Sequence, residues 1–409
     1  MEENSSFISV KKNKNGKYTK KIKSNKKTDW LNLILIILII AIIILILIIG
    51  ILLSKKNSIE NGSVKDNINN FTNISVKINH KRNKSFLDDI FQGFGNYTNS
   101  KSRLFQTREE PITENKNQIH ISMAIDNKFV YPSLVSMASC LSNNNNEKNI
   151  IVYHLLFSND FKAENYEIFE SLKKKFDFSL NYYIIPSLFN HYKKWMGGTH
   201  TVYFKILLPF IFHDLDRIIY LDADTLIFKD LYEMYNLPFN GNYALGYPFH
   251  DSYKIDKFVP NATYYINGGV ILFNNKLIRE DNKDVELFKF TKEKNRELWF
   301  LEQDSINIIF YGKIGILPLK YGIYMYGNIG SFEKSIQIRI RFKLNRTEVI
   351  DAINNPSLVH FSGCNPKVWH KRSSNEFGVN EICQRFHDEF FNYAKKTDYY
   401  QQIFSHYGN

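Results

Sequence analysis

The sequence predicts an α/β protein: a mixed, mostly parallel sheet flanked by helices and preceded by one transmembrane helix. Three observations carry this. Strand-like and helix-like apolar patterns alternate from residue 118 onward, which is the texture of βαβ units. A charge-free apolar run from Leu33 to Leu53 stands alone near the amino terminus. The positive charge gathers around that run: residues 1–56 hold eleven lysines against Glu2, Glu3 and Asp29, which is +8 of the chain's net +12. Hydrophobic residues make up 44% and charged residues 23% of the 409, enough for a real core, so a wholly disordered chain is excluded. Three cysteines exclude a disulfide scaffold and a four-cysteine zinc site.

Residues 1–30 read as a basic cytosolic tail and residues 31–53 as a signal anchor. The Leu33–Leu53 run at 1.5 Å per residue spans about 30 Å, the thickness of a bilayer core. It has no polar face, so a buried core helix fits poorly. A cleaved signal peptide fits poorly as well, because its apolar region is shorter and its basic region rarely this long. Lysines before the run place the amino terminus in the cytosol and the remainder across the membrane, a type II arrangement. Because the charge serves topology, no nucleic-acid partner is expected. Residues 54–117 are rich in Asn, Lys and Ser without a sustained period and read as a flexible luminal stem. Glycosylation sequons fall there at Asn61, Asn70, Asn73, Asn83 and Asn96, with Asn261 and Asn345 downstream. An anchor followed by a stem predicts a Golgi or other secretory-pathway membrane.

Residues 118–409 form the third part, one α/β domain with a carboxy-terminal extension. Ile119, Ile121, Met123 and Ile125 alternate as a strand, and Leu134, Ala138 and Leu141 follow at helical spacing. Asn149–Ser158 is a second strand, Tyr166, Phe169, Leu172 and Phe176 a helix stripe, and Ser179–Ile185 a third strand. Asp216–Leu221 is a fourth, leading into Asp222.

The tract RIIYLDADTLIF sets Asp222 and Asp224 just past that strand. Ligands of open α/β sheets bind outside the carboxyl ends of strands. Two carboxylates one residue apart can share a hard cation, and Mn²⁺ or Mg²⁺ carrying a diphosphate suits such a shell. Helix capping and a plain turn explain the same pair. Haloacid-dehalogenase-like phosphatases also use Asp-x-Asp, but Leu226 stands where their Thr or Val belongs. YYINGGVILFNN puts Asn267, Gly268 and Gly269 before a strand, where glycines allow close backbone approach to a ligand. EQDSINIIF puts Glu302, Gln303 and Asp304 at a helix start, with Ile306, Ile309 and Phe310 on its buried face. VHFSGCNPKVWH offers His360, Gly363, Lys367 and Trp369: an imidazole for a metal, a cation for phosphate.

In order and in type, these segments resemble glycosyltransferase family 8, retaining nucleotide-sugar transferases with a GT-A fold. The likeness runs from about Ile119 to Trp369. The opening Ala124–Phe129 is similar to the family's Ala-x-Asp-x-Asn-Tyr, implying that Ala124, Asp126 and Phe129 hold the uridine; Lys128 replaces the Asn. Thr201–Pro209 is similar to Tyr-Tyr-Arg-Leu-Leu-x-Pro, with Lys205 where Arg meets the diphosphate. Tyr220-Leu-Asp-Ala-Asp-Thr225 matches the metal motif, bringing Ala223 to the nucleotide-sugar as well. Asn267-Gly268-Gly269 resembles Asn-Ala-Gly and Gln303-Asp304 the Gln-Asp beside the transferred sugar. The last motif, usually His-Phe-x-Gly-x-x-Lys-Pro-Trp, implies His360 as third metal ligand with Gly363 and Lys367 on the donor; one extra residue lies before this lysine.

The resemblance implies a hexosyltransferase moving sugar from UDP to a glycan, glycoprotein or glycolipid acceptor, with Mn²⁺, or Mg²⁺, on Asp222, Asp224 and His360. Gln303 and Asp304 are the catalytic candidates. Retention admits a same-face substitution or a double displacement with Glu302 or Asp304 as nucleophile, and both stay open. An inactive carbohydrate-binding protein of the same fold is the main alternative. Among Cys140, Cys364 and Cys383, the last two are a candidate bridge pinning the final motif.

Overall fold

The computed structural model describes residues 8–12, 18–22 and 116–408, apart from 196–197, 250–251, 323–345, 363, 365–366 and 371–380. The chain divides into two compact units, Met1–Arg82 and Asn83–Asn409. In the first, β1 (Ile8–Lys12) and β2 (Tyr18–Ile22) pair antiparallel, Ile8 opposite Ile22. The sequence reading assigned this segment no secondary structure, only a basic tail. The Leu33–Leu53 run and the stem lie outside the described residues. Among the described residues, no helix is long and apolar enough to cross a membrane.

The second unit is built on a seven-stranded mixed sheet. Its strands are β3 (Asn117–Ile125), β4 (Asn149–Ser158), β5 (Ser179–Ile185), β6 (Ile218–Leu221), β8 (Ala244–Pro248), β9 (Ile266–Phe273) and β10 (Ile314–Ile316), in the order β10-β8-β9-β6-β3-β4-β5. The run β6-β3-β4-β5 is parallel, as the alternation of elements predicts, and β9 lies antiparallel between β6 and β8. Nearly every residue of β4 and β9 is buried. That double-sided burial explains why IIVYHLLF and GGVILF read as continuous apolar runs rather than alternations.

One face of β3 feeds Ile119, Ile121, Met123 and Ile125 into a large core beneath α1 (Val130–Asn143). The opposite face feeds His120 and Ser122 toward β4, where both are buried. The expected helix over Tyr166–Phe176 is a short α-helix, Glu164–Glu170, that tightens into a 3₁₀ turn over Ser171–Lys174. The carboxy-terminal extension is α2 (Glu381–Ala394) and α3 (Tyr400–Tyr407). Phe386, Phe390 and Phe391 of α2 are buried in the same core, and Tyr393 receives a 2.8 Å hydrogen bond from Asn143 of α1. Cys140 is a buried free thiol and Cys364 is disulfide-bonded; the Cys383 side chain lies outside the described residues.

Candidate active site

The site forms where β6 leaves the sheet. Strand order sets this location, because β3 and β6 are parallel neighbours and both end on the same edge. Asp222 follows the last residue of β6, and its N–H still donates to the Gly269 carbonyl on β9 at 2.7 Å. The chain then turns into β7 (Thr225–Ile227). Thr225 locks the turn: its hydroxyl donates to the Asp222 carbonyl at 3.0 Å and lies 2.8 Å from the Ser136 hydroxyl on α1.

Strand β7 does not join the main sheet. It pairs antiparallel with β11 (Leu358–His360), placing His360 opposite Thr225. The Phe361 N–H donates to the Asp224 carbonyl at 2.9 Å, extending the ladder past the histidine. This small ribbon brings a histidine from 136 residues away onto the acidic pair. His360 Nε2 stands 3.1 Å from Asp224 Oδ1 and 3.5 Å from Asp222 Oδ2. One ligand atom from each of the three residues falls within 4.8 Å of the others. Gly269 makes room for this cluster. A Cβ there would meet His360 Cε1 at 2.0 Å and Asp222 Oδ2 at 2.6 Å.

Two carboxylate oxygens and one imidazole nitrogen are a donor set for Mn²⁺, with Mg²⁺ the harder alternative. The outer contacts fit that use. Tyr247 Oη lies 2.8 Å from His360 Nδ1, leaving Nε2 to face the carboxylates. Such fixing of the far ring nitrogen is the usual support of a metal-bound histidine. Burial pushes the Asp224 carboxyl up, but Lys367 and His360 outweigh it and hold it well below the usual range. Lys367 Nζ also donates to the Phe361 carbonyl at 2.9 Å, so the lysine is fastened beside Asp224 and only partly buried.

Lys205 is 1% exposed and stands against Asp222. Its ammonium donates to Gly268 O at 2.9 Å and pairs with Glu302 Oε1 at 2.9 Å and Asp222 Oδ1 at 3.4 Å. Burial alone would drive its pKa down; Asp222 and Glu302 more than reverse this and keep it charged. Glu302, 5% exposed, is the counter-ion of Lys205 in this arrangement.

Asp304 is likewise committed to structure. It is 1% exposed; Oδ1 accepts from the Tyr265 hydroxyl at 2.5 Å, and Oδ2 accepts from the N–H groups of Trp299 at 2.6 Å and Phe300 at 2.9 Å. A carboxylate so occupied fastens the turn before its helix. Gln303 is the member of this tract that borders the site. Its Oε1 accepts from Gly268 N–H at 2.6 Å, its Nε2 donates to Tyr265 Oη at 3.1 Å, and the side chain is partly exposed. Asn267 is buried and accepts from Gly269 N–H at 2.8 Å. Asn267, Gly268 and Gly269 open β9 rather than precede it.

At the end of β3, Ala124 is partly buried and Asp126 shapes the following turn. Its Oδ1 accepts from Lys128 N–H at 2.8 Å and Phe129 N–H at 3.0 Å. Phe129 is partly buried and stands edge-on to Trp369, ring centroids 6.1 Å apart. Trp369 in turn packs against Phe390 of α2 and Tyr407 of α3. Ala223 is buried between the two aspartates, and Gly363 lies outside the described residues. Sequence reasoning missed Tyr247 and Tyr265. Both are aromatics in or beside strands, with nothing local to distinguish them from core.

A mixed α/β sheet thus carries an aspartate pair and a histidine beside its carboxyl edge, and the family of the chain makes it a glycosyltransferase. The chain belongs to glycosyl transferase family 8, whose model matches residues 120–373. It is similar to lipopolysaccharide 1,3-galactosyltransferase of Salmonella typhimurium, 27% identical over 66% of this chain and 77% of that one. Among solved structures, the bifunctional glycosyltransferase WbbM aligns with a TM-score of 0.57 at 18% identity over 73% of this chain. The chain spans about half of that protein's length, 53%. The galactosyltransferase LgtC, solved with donor and acceptor sugar analogues, aligns with a TM-score of 0.53 at 17% identity, over 68% of this chain and 96% of that one. At these identities the structural likenesses establish the fold. They bear out the α/β reading, and family membership replaces the phosphatase alternative.

Proposed function

We propose that this enzyme is a metal-dependent, retaining transferase that moves a hexose from a UDP-sugar to a glycan, glycoprotein or glycolipid acceptor. The observation that carries the reading is the convergence of Asp222, Asp224 and His360 within 4.8 Å. Family membership and the Salmonella galactosyltransferase relative support the donor class. When bound, Mn²⁺ would supply Lewis-acid stabilisation of the charge that develops on the departing diphosphate.

The chain's own groups do the rest. Lys367, fastened next to Asp224, adds a fixed positive charge where the leaving group's charge builds. Lys205 holds Asp222 and the Gly268 carbonyl in place from below, so it positions a ligand and does not touch phosphate. Phe129 and Asp126, on the turn after β3, suit the base and ribose of a nucleotide. Gln303 presents an amide beside the place of the transferred sugar, too weak a nucleophile to form a covalent intermediate. Because Glu302 is paired with Lys205 and Asp304 with Tyr265 and two backbone N–H groups, the arrangement favours same-face substitution over double displacement. In that route the leaving phosphate takes the acceptor hydroxyl's proton.

We further propose the type II topology, with the catalytic unit luminal in a Golgi or other secretory membrane. The apolar run and its flanking lysines support it. The deciding measurement on the enzyme itself is UDP release from UDP-glucose, UDP-galactose, UDP-xylose and UDP-glucuronate with and without Mn²⁺. Turnover of one donor only with the metal present is expected. Equal turnover in chelator would overturn the metal assignment.

A further inference from the structure

Two tryptophans are the most exposed large hydrophobic side chains among the described residues. Trp195 is 51% and Trp299 is 56% exposed, whereas Trp369 is 4% exposed. They sit on different loops that are fastened to each other. Lys193 N–H donates to Asn295 Oδ1 at 3.1 Å, its ammonium donates to the Leu298 carbonyl, and its own carbonyl accepts from Tyr203 Oη at 2.7 Å. Phe300 lies between the loops, its ring 5.8 Å from Trp195 and 5.5 Å from Phe249.

The turn that displays Trp299 is held at a backbone cost. Leu301 is buried at 1% exposure with φ 56°, a conformation that a branched L-residue rarely adopts. Both oxygens of Asp304 are spent on this turn and on Tyr265, which also binds Gln303. Strain of this kind persists where surrounding structure over-determines it, and it gathers at functional sites.

We propose that Trp195 and Trp299, backed by Phe300, form the platform on which the acceptor saccharide rests, with Lys254, whose ammonium lies over the Trp299 ring, as its polar partner. The inference rests on the transferase reading above and adds to it the acceptor's seat. Lys254 Nζ stands 4.0 Å from the Trp299 ring centroid. An indole face offers a pyranose ring apolar contact with its axial hydrogens, while a neighbouring ammonium meets its hydroxyls. The platform is continuous with the donor side through one chain of contacts. Phe300 packs on Tyr265 at 6.4 Å, Tyr265 Oη receives Gln303 Nε2, and Gln303 Oε1 receives Gly268 N–H. The link runs through the buried Tyr265 and ties the loop that carries Trp299 to Gln303.

The test uses the full-length protein in detergent with Mn²⁺ and UDP, applied to a printed array of defined oligosaccharides. The strongest hit is then titrated by calorimetry. Trp195→Ala and Trp299→Ala are each expected to weaken that saccharide by about tenfold, the scale for removing one stacking face, while Trp→Phe at either position restores most of it. The dissociation constant for UDP with Mn²⁺ is expected to stay in place. Failure of the wild-type protein to bind any arrayed saccharide would overturn the platform, as would unchanged affinity in both alanine variants. Quenching of these two indoles by brominated phosphatidylcholine in nanodiscs, without saccharide binding, would reassign the patch to the membrane and also overturn it. Loss of UDP binding in the wild type would sink the donor reading alone, because the array reads the saccharide separately.

Discussion

Tyr247 Oη and His360 Nδ1 lie 2.8 Å apart inside the protein, across 113 residues of sequence. The phenol determines which imidazole nitrogen faces the acidic pair, and so whether the histidine can serve as a ligand at all. Tyr247→Phe removes this bond at almost constant volume. We expect Mn²⁺ affinity to fall by about 10–100-fold, the usual effect of losing a histidine's outer partner, with the melting temperature little changed. Titration calorimetry or Mn²⁺ electron paramagnetic resonance would read it. An unaltered metal affinity would mean that Tyr247 merely fills space.

The ligands themselves should show a graded pattern. Asp222→Asn and Asp224→Asn each keep volume and remove a charge. Turnover should drop by at least about a hundredfold, since metal stabilisation contributes several kcal/mol to the barrier. His360→Ala should act in the same direction but less severely, because water can replace a neutral ligand. Transfer near the wild-type rate by Asp224→Asn, with Mn²⁺ still required, would remove that residue from the metal site.

Gly269 offers a test of the geometry with no charge change. The added methyl of Gly269→Ala would overlap His360 Cε1 and Asp222 Oδ2. Both are fixed by neighbours, so the imidazole must be displaced. Loss of Mn²⁺ binding together with about 1–3 kcal/mol of stability is expected, the normal cost of overpacking. Wild-type affinity for Mn²⁺ in this variant would contradict the placement of β9 against β11.

Glu302 and Asp304 should behave as structural carboxylates. Glu302→Gln leaves the buried Lys205 without its nearest charge, and breaking a buried pair costs about 3–5 kcal/mol. Asp304→Asn unsettles the acceptor shared by Trp299 and Phe300 N–H and should cost about 1–3 kcal/mol. Urea unfolding measures both. A variant that kept full stability yet lost all turnover would revive the nucleophile role for that residue.

Acid should weaken the fold through a buried histidine pair away from the metal site. His120 Nδ1 and His154 Nε2 are 3.0 Å apart, and the Tyr183 hydroxyl meets His154 Nδ1 at 3.1 Å. Burial lowers the pKa of His120 from 6.5 to about 4, and burial with the neighbouring His120 pushes His154 well down too. The folded protein therefore keeps these rings neutral while the unfolded chain takes up protons below pH ~6.5. Their contribution is complete above that pH, declines as pH falls toward 4, and amounts to about 3 kcal/mol for His120. Unfolding at pH 7.5 and 4.5 should show this slope, reduced in His120→Gln. Identical slopes in the two proteins would refute it.

Much of the fold was legible because its signals are local. The apolar strands Asn149–Ser158 and Ser179–Ile185 stand where their composition put them, and the helix beginning at Glu302 buries Ile306, with Phe310 buried at its C-cap and the expected Ile309 only partly buried. Asp222 and Asp224 were equally legible: a hydrophobic strand followed by paired carboxylates is a pattern of consecutive residues. The hairpin of β1 and β2 was not, since alternating Lys, Thr and Val in a basic segment resembles a solvated tail.

By itself, then, the sequence determined the sheet, the acidic turn at its edge and the family to which the motif order belongs. Only the tertiary structure decided what each polar residue does. Lys205 and Lys367 are both lysines in a matching motif, yet one is sealed beneath Asp222 beside Glu302 and the other lies partly exposed against Asp224. Gln303 and Asp304 are adjacent, yet one borders the site and the other ties down a turn. Hydropathy and spacing report which side of an element is buried. The partner that a buried charge finds there is contributed by chain 100 residues or more away in the case of His360, through the β7–β11 ribbon, and pairing over such a distance is settled by the packing of the whole sheet.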